Sequence, residues 1–440
     1  MKNVFYNSCN FLDTKIQSGE HYLAWFEGER SDFVRFNHAV VRQAGSVMQM
    51  SIEVRLITGN RHAATKIGLS GDDAIDKVAL ETLIDRLREV LPTLPDDPFL
   101  LYSDNAEKSE FVRDATLPSG ENAIGEITDA ARGTDLVGIH ASGPIYRGFG
   151  NSFGARRWHE TQSFNFDFSL YLSGDKAVKS EYAGFEWDTT GLTNVIDRAK
   201  GQLALLLRSS RTLEPGKYRV YLTPSALGEI TTMLAWGGFG LKAQRTRQSP
   251  LLRLLQGDAS LSKQLTIMEN TATGIAANFE SQGFSKPPAV PLITEGKINS
   301  ALVSPRSAKE FGIATNGANA GETPEALEVA AGNLSSTEIL KQLGTGIYVN
   351  NLWYLNFSDR SAGRITGMTR FATFWVENGE IVAPMNVMRF DESIYRMLGD
   401  NLEALSKERE YLVDPGSYGA RSTQSWHLPG ALVRDFTLTL

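Results

Sequence analysis

Apolar and polar residues alternate strictly from Gln162 to Leu172, with Phe164, Phe166, Phe168, Leu170 and Leu172 on one side and Asn165, Asp167 and Ser169 on the other. That period of two predicts a half-buried strand. The same pattern in His21–Glu27, Ser31–Phe36 and Met48–Ile57 predicts three more, with a turn at Thr58–Arg61. Helical spacing replaces it from Asp73 to Val90, where Ile75, Val78, Ala79, Leu83 and Leu87 recur every three or four residues. Asp72 or Asp73 is the expected N-cap, and Pro92 and Pro95 the stop. Further helices are expected over Gly120–Arg132, Thr193–Arg208, Ser225–Trp236, Ser335–Leu343 and Asp391–Ala404. Short strands are expected at Leu136–Ala141, Arg219–Leu222 and Leu432–Leu440. The clearest tertiary signal is a meander in Gly346–Glu380: two β-rich runs joined by the turn residues Asp359–Gly363, then Asn378-Gly379, a strong hairpin signal, before Ile381-Val382.

Gly143–Gly154 is rich in glycine and aromatics, but Gly148-x-Gly150-x-x-x-Gly154 is not GxGxxG and precedes a strand. A flexible turn between strands is the better reading than a phosphate cradle. Ala314–Ala331, rich in Asn, Gly, Ala and Glu, reads as a mobile loop. Two segments, Pro95–Pro98 and Leu213–Tyr218, divide the chain into 1–97, 98–212 and 213–440. A length of 440 residues supports two or three domains.

Composition narrows the function. A net charge of −7 gives no footprint for nucleic acid, and no apolar run is long enough for a bilayer. The N-terminal stretch has no sustained apolar region of the signal-peptide kind, so the cytoplasm is the expected location. Cys9 is the sole cysteine, which excludes an internal disulfide framework and any multi-thiolate metal site.

The runs Gly346-Ile-Tyr-Val, Leu352-Trp353-Tyr354, Gly363-Arg364-Ile365-Thr366-Gly367-Met368-Thr369-Arg370, Asn378-Gly379-Glu380-Ile381-Val382 and Arg389-Phe390-Asp391-Glu392-Ser393 resemble the signature of the TldD/PmbA family. That family was once labelled "modulator of DNA gyrase" and is read as two-subunit zinc metalloproteases. The resemblance implies an α+β fold: an N-terminal α/β portion with a mixed sheet and helices, then a C-terminal β-rich, barrel-like domain. It also implies that a catalytic subunit carries His-Glu-x-x-x-His on a helix after a strand, with a late cysteine. The logic is that of zinc hydrolases, in which three protein ligands leave a position for an activated water.

Here that strand–helix step is Tyr221–Glu229, and the motif positions fall near Pro224, Ser225 and Glu229. No histidine lies between His159 and His427, and the late cysteine is missing. The chain therefore resembles the TldE/PmbA type, the subunit without the zinc motif. His159-Glu160 opens an apparent "HE", but no second histidine follows at helical spacing, so His159 is expected at a surface or interface. His38 and His62 are expected as solvated residues at turns or strand ends. The carboxylate pairs Asp72/Asp73, Asp96/Asp97 and Glu408/Glu410 read as caps, linkers and a polar tail. No catalytic residue is nominated. Arg364, Arg370, Trp353, Tyr354 and His427 are candidates for a channel wall or an interface, with Asp359 or Glu392 as expected partners of the arginines.

The expected function is a non-catalytic subunit that pairs with a zinc-bearing TldD-like chain, itself binds no cofactor, and helps to enclose unfolded peptides. The alternative is a homodimeric peptide-binding or scaffold protein. Neither reading involves nucleic acid or membrane.

Overall fold

The computed structural model describes residues 1–174 and 176–439. Two sheets organise it. The first has seven strands: β1 (Glu20–Asn37), β2 (Val40–Thr58), β3 (Arg61–Gly68), β4 (Lys108–Arg113), β5 (Asp135–Asn151), β6 (Arg156–Ser173) and β7 (Lys176–Gly184). Their order is β3-β2-β1-β5-β6-β4, with β7 also on β6, so strands from both sides of Pro95–Pro98 share one sheet. Four helices cover one face: α1 (Lys2–Lys15), α2 (Asp73–Val90), α3 (Gly120–Ala130) and α4 (Thr189–Leu205). Tyr22, Ala24 and Phe26 of β1 meet α1 and α2, while Val34 and Phe36, on the same parity, share a core with α3 and α4.

The alternation at Gln162–Leu172 is realised in β6, where Phe164, Phe166, Phe168 and Leu170 are fully buried. Of the glycines in Gly143–Gly154, only Gly154, at φ +102°, lies in the expected turn between strands, which joins β5 to β6. Gly148 and Gly150 lie inside β5, where a Cβ would meet the Phe5 ring at 2.9 Å and the Cys9 Sγ at 2.6 Å. They let α1 approach the sheet closely.

The second sheet has eleven strands: β8 (Gly216–Leu222), β9 (Ile267–Glu269), β10 (Val290–Thr294), β11 (Lys297–Ile298), β12 (Ala326–Val329), β13 (Gly346–Asp359), β14 (Arg364–Glu377), β15 (Glu380–Pro384), β16 (Arg389–Ser393), β17 (Leu402–Val413) and β18 (Ser425–Leu438). β8, β13, β14, β16 and β18 form a ring, because β18 pairs with both β16 and β8. It is not a clean barrel. The β16–β18 contact is the single pair Phe390↔Leu438, and β12, β9, β10 and β11 run on from β18 as an open extension. The predicted meander is β13–β14–β15, and its last turn has Asn378 and Gly379 at φ +51° and +81°, the left-handed pair of a type I′ hairpin. Helix α5 (Pro224–Ala235) follows β8 and sits inside the ring, with Ala226, Leu227, Ile230 and Leu234 fully buried.

Two expectations change, and a third is realised in a longer strand. The helix predicted at Asp391–Ala404 is a strand pair with one wide helical turn between, Arg396–Asp400, because Arg364–Met368 pairs with Arg389–Ser393. The strand expected at Leu432–Leu440 is β18, with Leu440 outside the described residues. Ala314–Ala331 is a bonded segment: Asn316 is tied to Ala301 and Val303, Asn319 to Thr323, and β12 lies between β9 and β18.

The two sheets share a core. Ala372 and Phe374 of β14 are buried with Phe164–Leu170, α3 and α4. Arg421, just before β18, reaches into the first sheet: its guanidinium donates to Gly143 O (3.0 Å) and to the Ser163 hydroxyl (2.9 Å), while its backbone N–H donates to Glu29.

Candidate functional site

The strand–helix step where the resemblance places a zinc motif lies at this seam. Thr223 caps α5: its hydroxyl accepts from Ala226 N (3.3 Å) and donates to Asn350 O (2.6 Å), and Pro224 occupies the first helical position. In front of this N-terminus is a cleft of about 330 Å³ between α4, β7, β13 and β17. Its walls carry Thr223, Pro224 and Ser225 from the step, Tyr221 and Tyr348 from β8 and β13, Lys179 from β7, Arg198 from α4, and Arg409 and Glu410 from β17.

Ion pairs and amides order these walls. Arg198 Nη1 is 3.0 Å from Glu410 Oε1, and Lys179 Nζ is 3.4 Å from Asp167. Asn350 donates to Lys179 O (3.0 Å), so β13 is bonded across the seam to the first sheet. The Tyr221 and Tyr348 rings lie 5.5 Å apart, and burial pushes the Tyr348 phenol up to about 12. Beside the cleft, burial, with nearby Asp167 adding to it, raises the Glu181 carboxyl to about 8; its Oε1 accepts from Val413 N (3.2 Å). At neutral pH these groups offer neutral hydroxyls, an amide and compensated charges, which suit hydrogen bonding to a peptide backbone.

The residues present do not fit zinc. Pro224 has no donor, the Thr223 hydroxyl is engaged in capping, Ser225 is a neutral hydroxyl, and Glu229 is on the exposed side of α5. No histidine lines the cleft, and no group of three His, Cys, Asp or Glu among the described residues could hold a metal ion.

Of the other candidates, His427 comes nearest. Its Nδ1 is 3.8 Å from Glu328, whose other oxygen accepts from Arg409 (2.7 Å) at the cleft rim. His427, with Arg409 and Asn270, holds the Glu328 carboxyl down at about 2. Arg364, Arg370, Trp353 and Tyr354 lie elsewhere, on the β13–β14 hairpin, where Arg370, Trp353 and Tyr354 are neighbours and Arg364 stands apart at the turn end. Arg364 pairs with Asp391 (2.6 Å), not with Asp359 or Glu392. The Arg370 guanidinium lies 4.2 Å from the Trp353 ring centroid and has no carboxylate partner among the described residues. Tyr354, 77% exposed, has φ +56°, and Phe371 beside Arg370 has +62°; the ladder shifts register at both.

His159 is not at a surface. It is 4% exposed, stacked 4.8 Å from Phe111 and bonded to the Thr161 hydroxyl (2.8 Å), and burial pushes it down to about 3. His38 does occupy an exposed turn, whereas His62 is half-buried and 3.1 Å from Asp97. Sequence reasoning missed Arg198, Lys179, Tyr348 and Asn350, and set Glu410 aside as tail polarity. The available signal was polar residues on otherwise apolar elements: Arg198 in amphipathic α4 and Lys179 in β7.

Two sheets joined by a common core, with a strand–helix step opening on a cleft at their seam, make a metallopeptidase-like α+β protein. Residues 215–440 match the PmbA/TldA metallopeptidase C-terminal domain, and the chain belongs to the TldD/PmbA family. Its fold is similar to TldE from Thermococcus kodakarensis, at a TM-score of 0.80 and 14% identity over 99% of this chain and 100% of that one. It is also similar to proteins described as modulators of DNA gyrase. The one from Thermotoga maritima gives a TM-score of 0.78 at 14% identity, covering 100% of both chains. The one from Bacteroides thetaiotaomicron gives 0.73 at 14% identity, over 100% of this chain and 98% of that one. No curated protein matches. No helix among the described residues is long and apolar enough to cross a membrane.

Proposed function

We propose that this chain is a non-catalytic, TldE-like subunit of a cytoplasmic TldD/TldE-type metallopeptidase. It supplies half of a chamber for unfolded peptides, and a zinc-bearing relative supplies the metal and the hydrolysis. The observation that carries this reading is the start of α5, where the resemblance puts the zinc motif and where the side chains facing the cleft are those of Thr223, Pro224 and Ser225. A hydrolytic zinc site needs three protein ligands and an open position, and none of these side chains is an imidazole or a thiolate. What the cleft does offer is a peptide-sized wall of hydroxyl, amide and paired ionic groups.

The test is zinc content and cleavage of an unfolded peptide by the purified chain, alone and mixed with a TldD-like protein from the same source. The expected result is no bound zinc and no cleavage alone, and chelator-sensitive cleavage in the mixture that exceeds the relative's own rate. Stoichiometric zinc with cleavage by the chain alone, or a mixture no faster than the relative, overturns the proposal.

A further inference from the structure

The charges of this chain are unevenly spread. In the whole sequence 51 Asp and Glu outnumber 44 Lys and Arg, yet no acid occurs from Ile230 to Gly257, a span that holds Lys242, Arg245, Arg247 and Arg253. The fold turns this span into a fixed surface. It runs from the end of α5 through α6 (Leu241–Arg245) and is anchored by Leu241, Ser249 and Leu251, all buried. The turn after α6 is closed by Gln248 N and Ser249 N, which both donate to Ala243 O (2.8 and 3.1 Å), and Arg247 stands on it at φ +59°. All four cations are exposed, and none forms an ion pair among the described residues.

A fifth cation and a tryptophan complete the surface. Arg360, at the β13–β14 turn, donates from Nε to Gln248 O (2.8 Å) and from Nη2 to Trp236 O. Its guanidinium lies 5.2 Å from the Trp236 ring centroid and 4.8 Å from that of Phe357. A Cβ on Gly237 would stand 3.7 Å from Ala243 Cβ, so Trp236 is next to α6. Trp236 is 57% exposed. Asp258 and Asp359 border the surface, but neither pairs with these cations, and Asp359 accepts from Ala362 N (3.0 Å).

Unpaired cations around an exposed tryptophan have the composition of an interface, since Trp and Arg anchor partners more than other residues do. Spread along an exposed segment, the cations match a run of negative charge, not a single small anion. A phosphate polymer, with its dense charge, is repelled at longer range by a net charge of −7. A run of carboxylates is less densely charged and can also supply an apolar side chain to cover Trp236. We propose that this surface binds an acidic, extended segment of polypeptide. Its carboxylates pair with Lys242, Arg245, Arg247 and Arg253, and an apolar side chain packs on Trp236. The surface lies at the C-terminal end of α5, about 18 Å from the helix start that faces the cleft. The segment is therefore held outside the cleft, and its binding requires neither zinc nor a second subunit.

Fluorescence anisotropy of a labelled glutamate-rich peptide carrying one leucine, titrated with the full chain alone, tests it. The expected result is saturable binding that weakens about tenfold or more between about 50 and 200 mM salt. Arg245→Glu/Arg247→Glu is expected to weaken it by about 30-fold or more, and Trp236→Ala by about tenfold. Arg86→Glu/Lys108→Glu makes the same change of net charge at exposed positions of α2 and β4, and is expected to stay within about twofold of the parent. All these positions are exposed, and unchanged melting curves verify that the variants fold. No binding at low salt overturns the proposal, and so do equal losses in the two double variants. Indifference to Trp236→Ala overturns the apolar contact. A single-stranded oligonucleotide of equal length that binds more tightly than the peptide overturns the choice of polypeptide. Because the chain is assayed without zinc or a relative, each of these failures leaves the subunit reading standing.

Discussion

Gly430 shows how one residue holds the site in shape. It lies in β18 against Tyr221, and a Cβ there would overlap the phenol ring, while its N–H donates to the Ser406 hydroxyl (2.7 Å). Tyr221 is 3% exposed and stands at the end of β8, just before the cap of α5. Because that Cβ would also come within 2.9 Å of the Leu222 carbonyl oxygen, Gly430→Ala is expected to destabilise the protein by about 1–3 kcal/mol, read as a lower urea midpoint at unchanged m. Tyr221→Ala also destabilises, but the double variant should cost clearly less than the two added together, because the second change removes the overlap that the first creates. Additive losses would mean that the two residues do not meet. No periodicity marks Gly430 as special. Its requirement comes from a tyrosine 209 positions earlier in the chain, which only the β8–β18 pairing brings near.

Elements whose signals are local were legible. Asp72 caps α2 as its sequence predicts, accepting from Ala74 N and Ile75 N, and the helix ends before Pro92. Even there the buried stripe is Leu80, Leu83, Ile84 and Leu87, while Ile75 and Val78 are exposed, because the angle at which α2 meets the sheet is not written in its spacing. The helix predicted at Asp391–Ala404 failed for a related reason: residues 389–393 find partners in β14, and that pairing outweighs local preference. The cleft was legible only as a place, the strand–helix step, since its walls come from positions 179, 198, 348 and 410. Helix α5 depends on Thr223 twice, as N-cap and as donor to Asn350. Thr223→Val keeps the shape and removes both bonds. It is expected to cost about 1–2 kcal/mol, with Thr223→Ser close to the parent. Hydrogen exchange in the first turn of α5 should quicken in the valine variant alone.

Across the whole molecule, burying titratable groups at and near the seam ties stability to pH. Burial raises Glu181 to about 8 and Glu269 and Glu280 to about 7 from ordinary values near 4.5. The folded state therefore holds protons that the unfolded chain releases, so this contribution is fully present below about pH 4.5 and is lost as pH rises through 7 to 8. Two histidines act in the opposite sense. Burial lowers His140 to about 4 and His159 to about 3, so their contribution is present above the ordinary value near 6.5 and is lost as pH falls. Between about pH 4.5 and 6.5 the two groups offset each other, and above 6.5 the carboxyls act without that opposition. The urea midpoint is expected to decline from pH 6.5 to 8.5. Glu181→Gln keeps the Oε1 acceptor for Val413 N and removes the titration, so its decline should be visibly shallower and its stability at pH 8.5 higher than the parent's. His159→Gln should leave the alkaline slope unchanged and flatten the acid one. A parent midpoint that rises over pH 6.5–8.5 would mean that water reaches Glu181, and that the two sheets are less tightly joined at the β7–β17 contact than the fold requires.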